Sequence, residues 1–236
     1  MIELSTIRAI TFDVGGTLID PWPSVGHVYA EVAGQQAYAG VAPDKLNRQF
    51  IAAWKRRVDF DYSRLAWAGL VQQTFAGLIP CPADELLFDA LYRRFEQPEV
   101  WRVHDDVASA LARFKQRGFK LAVISNWDER LKPLLGRLGL EHYFDYIVVS
   151  CEVGHTKPSR LIFEHAARLL QMPASSIIHV GDSEQEDVLG AEQSGLQALR
   201  LNRQSDGASS REIQSLAQLT SWLALYLSKR RLGPSA

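Results

Sequence analysis

Short apolar runs bounded by polar or turn residues recur along the chain, at Ile7 to Phe12, Lys120 to Ile124, Tyr146 to Val149, Ile177 to Val180 and Gln197 to Leu201. Runs of four to six residues suit strands buried on both faces of a sheet. Between them lie amphipathic segments that read as helices, at about Asp128 to Leu138, Ser159 to Leu170, Glu184 to Gln193 and Ser209 to Leu227. Several end near a glycine such as Gly139 or Gly195, as helices commonly do. Strand and helix alternating in this way predict an α/β fold: a Rossmann-like parallel sheet covered by helices.

From about Pro21 to Pro98 the texture changes. β-Branched runs disappear, Ala, Leu, Gln, Arg and aromatic residues take over, and Pro43, Pro80 and Pro82 break the pattern. Phe50, Trp54, Trp67, Leu70, Phe75 and Leu87 fall at helical spacings, which predicts a helical insert with its own core. The expected organisation is a core built from residues 1-20 and 98-236, interrupted by a helical domain at 21-97. A chain of 236 residues is long enough for one ordinary core and a smaller accessory domain.

Composition narrows the function classes. A net charge of -1 argues against a nucleic-acid partner, since phosphate-backbone binding relies on clustered excess Lys and Arg. The basic run Lys229-Arg230-Arg231 reads as the end of the last helix, where cations complement the dipole. Cys81 and Cys151 are far apart and lack metal-ligand spacing, so neither a disulfide framework nor a zinc site is expected, and a reducing cytoplasm is. No apolar stretch reaches the roughly 18 to 20 residues of a membrane helix. Nor does the start of the chain resemble a signal peptide, so no membrane partner is expected.

The chemistry collects where the predicted strands end. Asp13 closes the first run and is followed by Val14-Gly15-Gly16-Thr17, which sets a carboxylate at the carboxyl edge of the sheet with two glycines permitting close backbone approach. A carboxylate there can attack phosphorus, or it can simply cap a turn. Ser125 and Asn126 end the second run and offer a hydroxyl and an amide, which also form an ordinary helix-capping pair. Lys157-Pro158 places an ammonium just before a helix. Asp182 to Asp187, after Gly181, form a carboxylate cluster suited to a hard cation or to the start of a helix. Each segment alone has a bland reading, but all four are expected at one edge of one sheet.

This order resembles the haloacid dehalogenase superfamily, whose four motifs read here as Asp13-Val14-Gly15-Gly16-Thr17, Ser125, Lys157, and Gly181-Asp182-Ser183 through Asp187. The insert resembles the helical cap of that superfamily's first cap class. By position, the resemblance implies a nucleophile at Asp13 and phosphoryl-oxygen ligands at Thr17 and Ser125, with Gly16 and Asn126 also facing the substrate. Lys157 would neutralise charge. Magnesium would be held by Asp13, the backbone carbonyl of Gly15, and Asp182, with Asp187 supporting the metal waters or Lys157. The implied activity is magnesium-dependent hydrolysis of a small phosphorylated metabolite through an aspartyl-phosphate.

One position departs from the pattern. Phosphatases of this superfamily normally carry a second aspartate two residues after the nucleophile, as general acid and base; here that residue is Gly15. General acid–base assistance contributes about 10²- to 10⁴-fold, so a slow phosphatase is expected. Dehalogenases work without this acid but lack the acid that Asp182 preserves. Phosphonatases work without it through a cap lysine, for which Lys45 and Lys55 are the candidates. A binding module whose catalysis has decayed is the reading outside enzymology. His27, Tyr29, Arg57, Tyr62 and Trp67 are the insert's candidates for substrate contact, each with packing as the plainer role.

Overall fold

The computed structural model describes residues 7–36, 38, 40–79, 84–205, 211–221 and 223. Cys81, the run Lys229-Arg230-Arg231 and the end of the predicted helix at 209–227 lie outside them. The chain begins with β1 (Ala9–Phe12) and β2 (Ile19–Pro21), then α1 (Val25–Gln35), α2 (Pro43–Lys55), α3 (Arg64–Phe75) and α4 (Glu85–Arg94). It continues through β3 (Trp101–Val103), α5 (Val107–Gln116), β4 (Lys120–Ser125), α6 (Leu131–Arg137), β5 (Tyr146–Val149), α7 (Ser150–Val153) and α8 (Arg160–Leu170). Next come β6 (Ile177–Gly181), a widened π-type turn at Glu184–Leu189, α9 (Gly190–Gln193), β7 (Gln197–Leu201) and β8 (Glu212–Ile213).

The main sheet has the order β5-β4-β1-β6-β7-β8, and every pair in it runs parallel. This is the α/β, Rossmann-like arrangement expected from the alternation of apolar runs. Phe12 stands in register with Val123 of β4 and Val180 of β6, so β1, β4 and β6 end at the same level. The chain passes from β1 to β4 and β5 on one side and then crosses back to β6 and β7 on the other, and a crevice at such a reversal is where α/β sheets bind ligands. The strands are apolar throughout because helices cover both faces: Leu121, Ala122, Val123 and Ile124 are all fully buried. α8 shows how the cover is built. Ser159 caps its first turn by accepting from the Leu161 N–H, and Ile162, Phe163, Ala166 and Leu170 recur on the face that joins the core beside Ile124, Val148 and Ile177.

The described residues fall into two compact units. The first contains Met1–Leu18, Val103–Asn126 and Leu140–Ala236, and so the main sheet; the second contains Ile19–Arg102 and Trp127–Gly139. Helices α1 to α4 of the second unit enclose a core of their own, with Tyr29, Val32, Leu46, Val71, Phe75, Leu87 and Leu91 buried together. In α4, Asp84 caps by accepting from the Leu87 N–H at 2.8 Å, Glu85 sits in the first turn and Arg93 and Arg94 in the last, all matched to the helix dipole. Trp127–Gly139 joins this unit through Arg130. Its guanidinium bonds the fully buried Asp128 through two nitrogens, donates to the Tyr92 carbonyl at 2.9 Å, and lies 3.5 Å over the Tyr92 ring.

Two sequence expectations change. β8 occupies residues that the amphipathic pattern assigned to the helix at 209–227; Glu212 and Ile213 pair with Arg200 and Leu201, and helix begins only at 216. A two-residue strand carries no periodicity of its own, so tertiary pairing decides it. The helix expected over Glu184 to Gln193 is likewise interrupted, its first six residues forming the widened turn. Among the described residues no helix is long and apolar enough to cross a membrane.

Candidate active site

Every residue that the motifs single out lies in the unit that carries the main sheet. Asp13 is the first residue past β1, its N–H bonded to the Val180 carbonyl at 2.9 Å. Ser125 is the last residue of β4, and its hydroxyl donates to Asp13 Oδ1 at 3.0 Å. Lys157 follows α7 and reaches the same oxygen with its ammonium at 2.7 Å, while bonding Asp187 Oδ1 at 2.5 Å. Asp13, Asp182 and Asp187 each bring a carboxylate oxygen within 4.8 Å of the others. Residues more than a hundred positions apart in the chain therefore meet because three parallel strands end level.

The loop behind Asp13 is shaped by its neighbours. Gly16 has φ +74°, and a Cβ there would lie 2.6 Å from Asp182 Oδ2, so only glycine lets the loop and the acid approach this closely. Thr17 is fully buried, and its Oγ1 has no hydrogen-bond partner among the described residues. A buried hydroxyl without a partner is costly, which suits a position that awaits a ligand oxygen. Arg203 fixes the loop from the far side, donating to the Thr17 carbonyl at 3.0 Å while paired with Asp106.

The two acids after β6 have different surroundings. Asp187 is buried and accepts three bonds: Lys157 and His179 on Oδ1, and the Ser183 N–H on Oδ2 at 2.9 Å. Asp182 keeps an exposed edge, and no side chain among the described residues donates to its carboxylate. Asn126, expected to face the substrate, holds the lysine. Its side chain accepts from the Lys157 N–H at 2.7 Å and donates to the Lys157 carbonyl at 3.0 Å and to Glu186 at 3.1 Å, which clamps the backbone of the lysine.

Charge follows this layout. Burial opposes the Lys157 ammonium, but Asp13 and Asp187 outweigh it and raise its pKa, so it stays charged. Burial would raise Asp187 too, yet the Lys157 charge and the His179 bond hold it well below the usual carboxylate range. Burial raises Asp13 above that range, against the pull of Lys157 and with the push of Asp187. Asp182 is pushed up to about 7, by withdrawal of its inner side from water and by the anions Asp13 and Asp187; its exposed edge tempers the first of these. Three acids around one ammonium leave an excess of negative charge, all of it on hard oxygens.

The insert's candidates are engaged in packing. Tyr29 is buried in the helical core and stacked on Phe75. Trp67 and Tyr62 belong to an aromatic cluster with Trp54 and Phe60, Arg57 covers Trp54, and His27 bonds the Ser24 hydroxyl. Lys45 and Lys55 are both exposed. Sequence reasoning overlooked Thr11 and His179, which bond each other inside the sheet, and the bond of His179 to Asp187. The available signal was a polar residue in the middle of an apolar run, at Ile10-Thr11-Phe12 and Ile178-His179-Val180.

The family model for haloacid dehalogenase-like hydrolases matches residues 7–195, which takes in all of these motifs. The chain belongs to the haloacid dehalogenase-like hydrolase family. It is 34% identical over 208 residues to haloacid dehalogenase-like hydrolase domain-containing protein 3 of Danio rerio, covering 84% of this chain and 86% of that protein. It is 36% identical over 107 residues to the glyceraldehyde 3-phosphate phosphatase of Methanothermobacter thermautotrophicus, over 43% of this chain and 45% of that one. Among solved structures, the HAD-hydrolase YfnB of Bacillus subtilis, bound to magnesium, superposes with a TM-score of 0.75 at 22% identity, covering 92% of this chain and 99% of that chain.

Proposed function

We propose that this haloacid dehalogenase-like hydrolase is a magnesium-dependent phosphatase of small phosphorylated metabolites that works through an aspartyl-phosphate at Asp13, slowly because Gly15 supplies no acid. The observation that carries the reading is the meeting of Asp13 and Asp182 oxygens beside an ammonium that already neutralises Asp187. The donor set fits the ion. Asp182 has no competing side-chain donor, Gly16 leaves room against it, and carboxylate and carbonyl oxygens are the ligands magnesium prefers. Asp13, Asp182 and the Gly15 carbonyl would hold it, with Asp187 turned toward Lys157. Bound there, magnesium would offset repulsion between an anionic nucleophile and an anionic phosphate. A phosphatase among the relatives and a magnesium-bound protein of the same fold agree with this assignment.

The chain's own groups then divide the work. An Asp13 carboxylate oxygen attacks phosphorus, forming the O–P bond as the ester P–O bond breaks and its electron pair leaves with the alkoxide. Lys157, Ser125 and the Thr17 hydroxyl would donate to the phosphoryl oxygens, and charge on those oxygens is what such a transition state must spread. Water supplies the alkoxide's proton, as no side chain at position 15 does. A second water attacks the phosphorus of the aspartyl-phosphate, releasing inorganic phosphate and returning Asp13. Substrates with good leaving groups, such as acyl and aryl phosphates, need the missing acid least.

Dehalogenation is the weaker reading, because dehalogenases lack the acid that Asp182 brings beside the nucleophile. Phosphonatase chemistry needs a lysine withdrawn from water to act as a nucleophile, and Lys45 and Lys55 are both exposed. A panel of alkyl, aryl and acyl phosphates, a phosphonate and a 2-haloacid, each with and without magnesium, tests the assignment. Turnover of acyl and aryl phosphates only with magnesium is expected. Halide release, or phosphate release unaffected by a chelator, would reject it.

A further inference from the structure

Two buried polar residues of the sheet have no part in the chemistry above. Thr11 on β1 and His179 on β6 are partners in register, and both are fully buried. Ile10, Phe12, Ile178 and Val180 flank them, so an imidazole here surrenders hydration that an aliphatic side chain never had. Both ring nitrogens are nonetheless satisfied, Nδ1 at 2.9 Å from Thr11 Oγ1 and Nε2 at 3.1 Å from Asp187 Oδ1. The Asp187 carboxylate, bonded to Lys157, can only accept, so Nε2 carries the proton. The Thr11 hydroxyl, 2.9 Å from Nδ1 and 3.5 Å from the Ile178 carbonyl, then donates to the nearer acceptor, which fits this tautomer. Burial pushes the imidazole pKa down, against the bond to Asp187, and keeps the ring neutral.

The consequence falls on Asp187. Its Oδ2 is pinned by the Ser183 N–H, and a Cβ on Gly181 would lie 2.2 Å from its Cγ, so the backbone also crowds the carboxylate. Rotation about the last side-chain bond would still swing Oδ1 away from Lys157. The Nε2–H of His179, approaching from inside the sheet, opposes that swing. We propose that Thr11 and His179 form a positioning pair, which fixes Asp187 Oδ1 so that Asp187 aims the Lys157 ammonium at Asp13. The proposal rests on the role given to Lys157 above, and one arm of its test therefore reads the pair without any turnover.

In the metal-free full-length protein, nitrogen NMR of labelled histidine should show His179 as the Nε2–H tautomer; an Nδ1–H tautomer overturns the proposal. With magnesium and an aryl phosphate, His179→Leu should lower kcat by about 10- to 100-fold, the usual effect of losing an outer hydrogen-bond partner, with KM changed little. His179→Gln, whose amide nitrogen reaches the Nε2 position, should recover most of that loss. A folded His179→Leu with wild-type kcat, or an equal loss in the glutamine variant, refutes a donor role. If His179→Leu does not fold, Thr11→Val decides: a lowered kcat supports the pair and an unchanged one overturns it. A wild-type protein that turns over no phosphate rejects the phosphatase reading, and the tautomer then decides this one.

Discussion

Replacing Gly16 with alanine puts the loop behind the nucleophile directly to the test. Two effects separate on inspection. The backbone at Gly16 has φ +74°, a left-handed conformation that costs an L-residue about 1–2 kcal/mol. The new Cβ would also stand 2.6 Å from Asp182 Oδ2, where ordinary contact begins at 3.4 Å, so that oxygen must retreat by about 0.8 Å. Asp182 sits at the surface end of the site and can swing outward, so its displacement adds little to the stability loss. It falls instead on the metal and the chemistry, where a misplacement near 1 Å can reduce rate by about 10²-fold. Gly16→Ala is therefore expected to melt about 2–8 °C lower, from about 2–4 °C per kcal/mol at this size. It should bind magnesium more weakly by calorimetry and lose about a hundredfold in kcat with an aryl phosphate. A variant that melts lower but keeps wild-type magnesium affinity and kcat would refute the link between the Gly16 approach and the cation site.

Other outcomes follow from the same geometry. Gly15→Asp should raise alkyl phosphate turnover at least about tenfold by restoring a general acid, with a smaller gain on aryl phosphates; equal gains on both would contradict this cause. Magnesium affinity should depend on pH through Asp182, whose carboxyl is pushed up to about 7. Since the proton must leave before the cation binds, titration at about pH 5.5 should give affinity at least about tenfold weaker than at about pH 8, and a flat profile would count against Asp182 as a ligand. In the metal-free protein the raised value means that this group favours folding fully below the unfolded value of 3.8, and the benefit disappears as pH rises through about 7. Magnesium should accordingly raise the melting temperature more at the higher pH. In the second unit, Asp128→Ala strands the Arg130 guanidinium, whose side chain is 9% exposed, and should cost about 3–5 kcal/mol in denaturant unfolding; a loss below about 1 kcal/mol would show that Tyr92 alone secures the arginine.

The sheet was legible because parallel strands buried on both faces must be apolar for their whole length, and the runs ending at Phe12, Ile124, Val149, Val180 and Leu201 coincide with β1, β4, β5, β6 and β7 to within two residues at either end. The site was legible for a related reason: a charged residue placed right after such a run has one sheet edge to occupy. Pairings between side chains were not. Asp182 and Asp187 look alike in the sequence, and the widened turn after Ser183 alone brings Asp187 back to Lys157 while leaving Asp182 facing water. Nor does the sequence reveal that Lys157, 31 positions later, takes both ends of the Asn126 amide. Trp127–Gly139 sits in the second unit because Asp128 and Arg130 bond to each other and to Tyr92, contacts that leave no mark on composition or period.

The phosphoryl group on Asp13 can be sought directly. Protein quenched in acid during turnover of acetyl phosphate with magnesium, then digested and read by mass spectrometry, should carry phosphate on the peptide containing Asp13, and Asp13→Asn should show neither the modified peptide nor turnover. An Asp13→Asn protein that is folded, binds magnesium and hydrolyses acetyl phosphate at the wild-type rate would contradict Asp13 as the nucleophile.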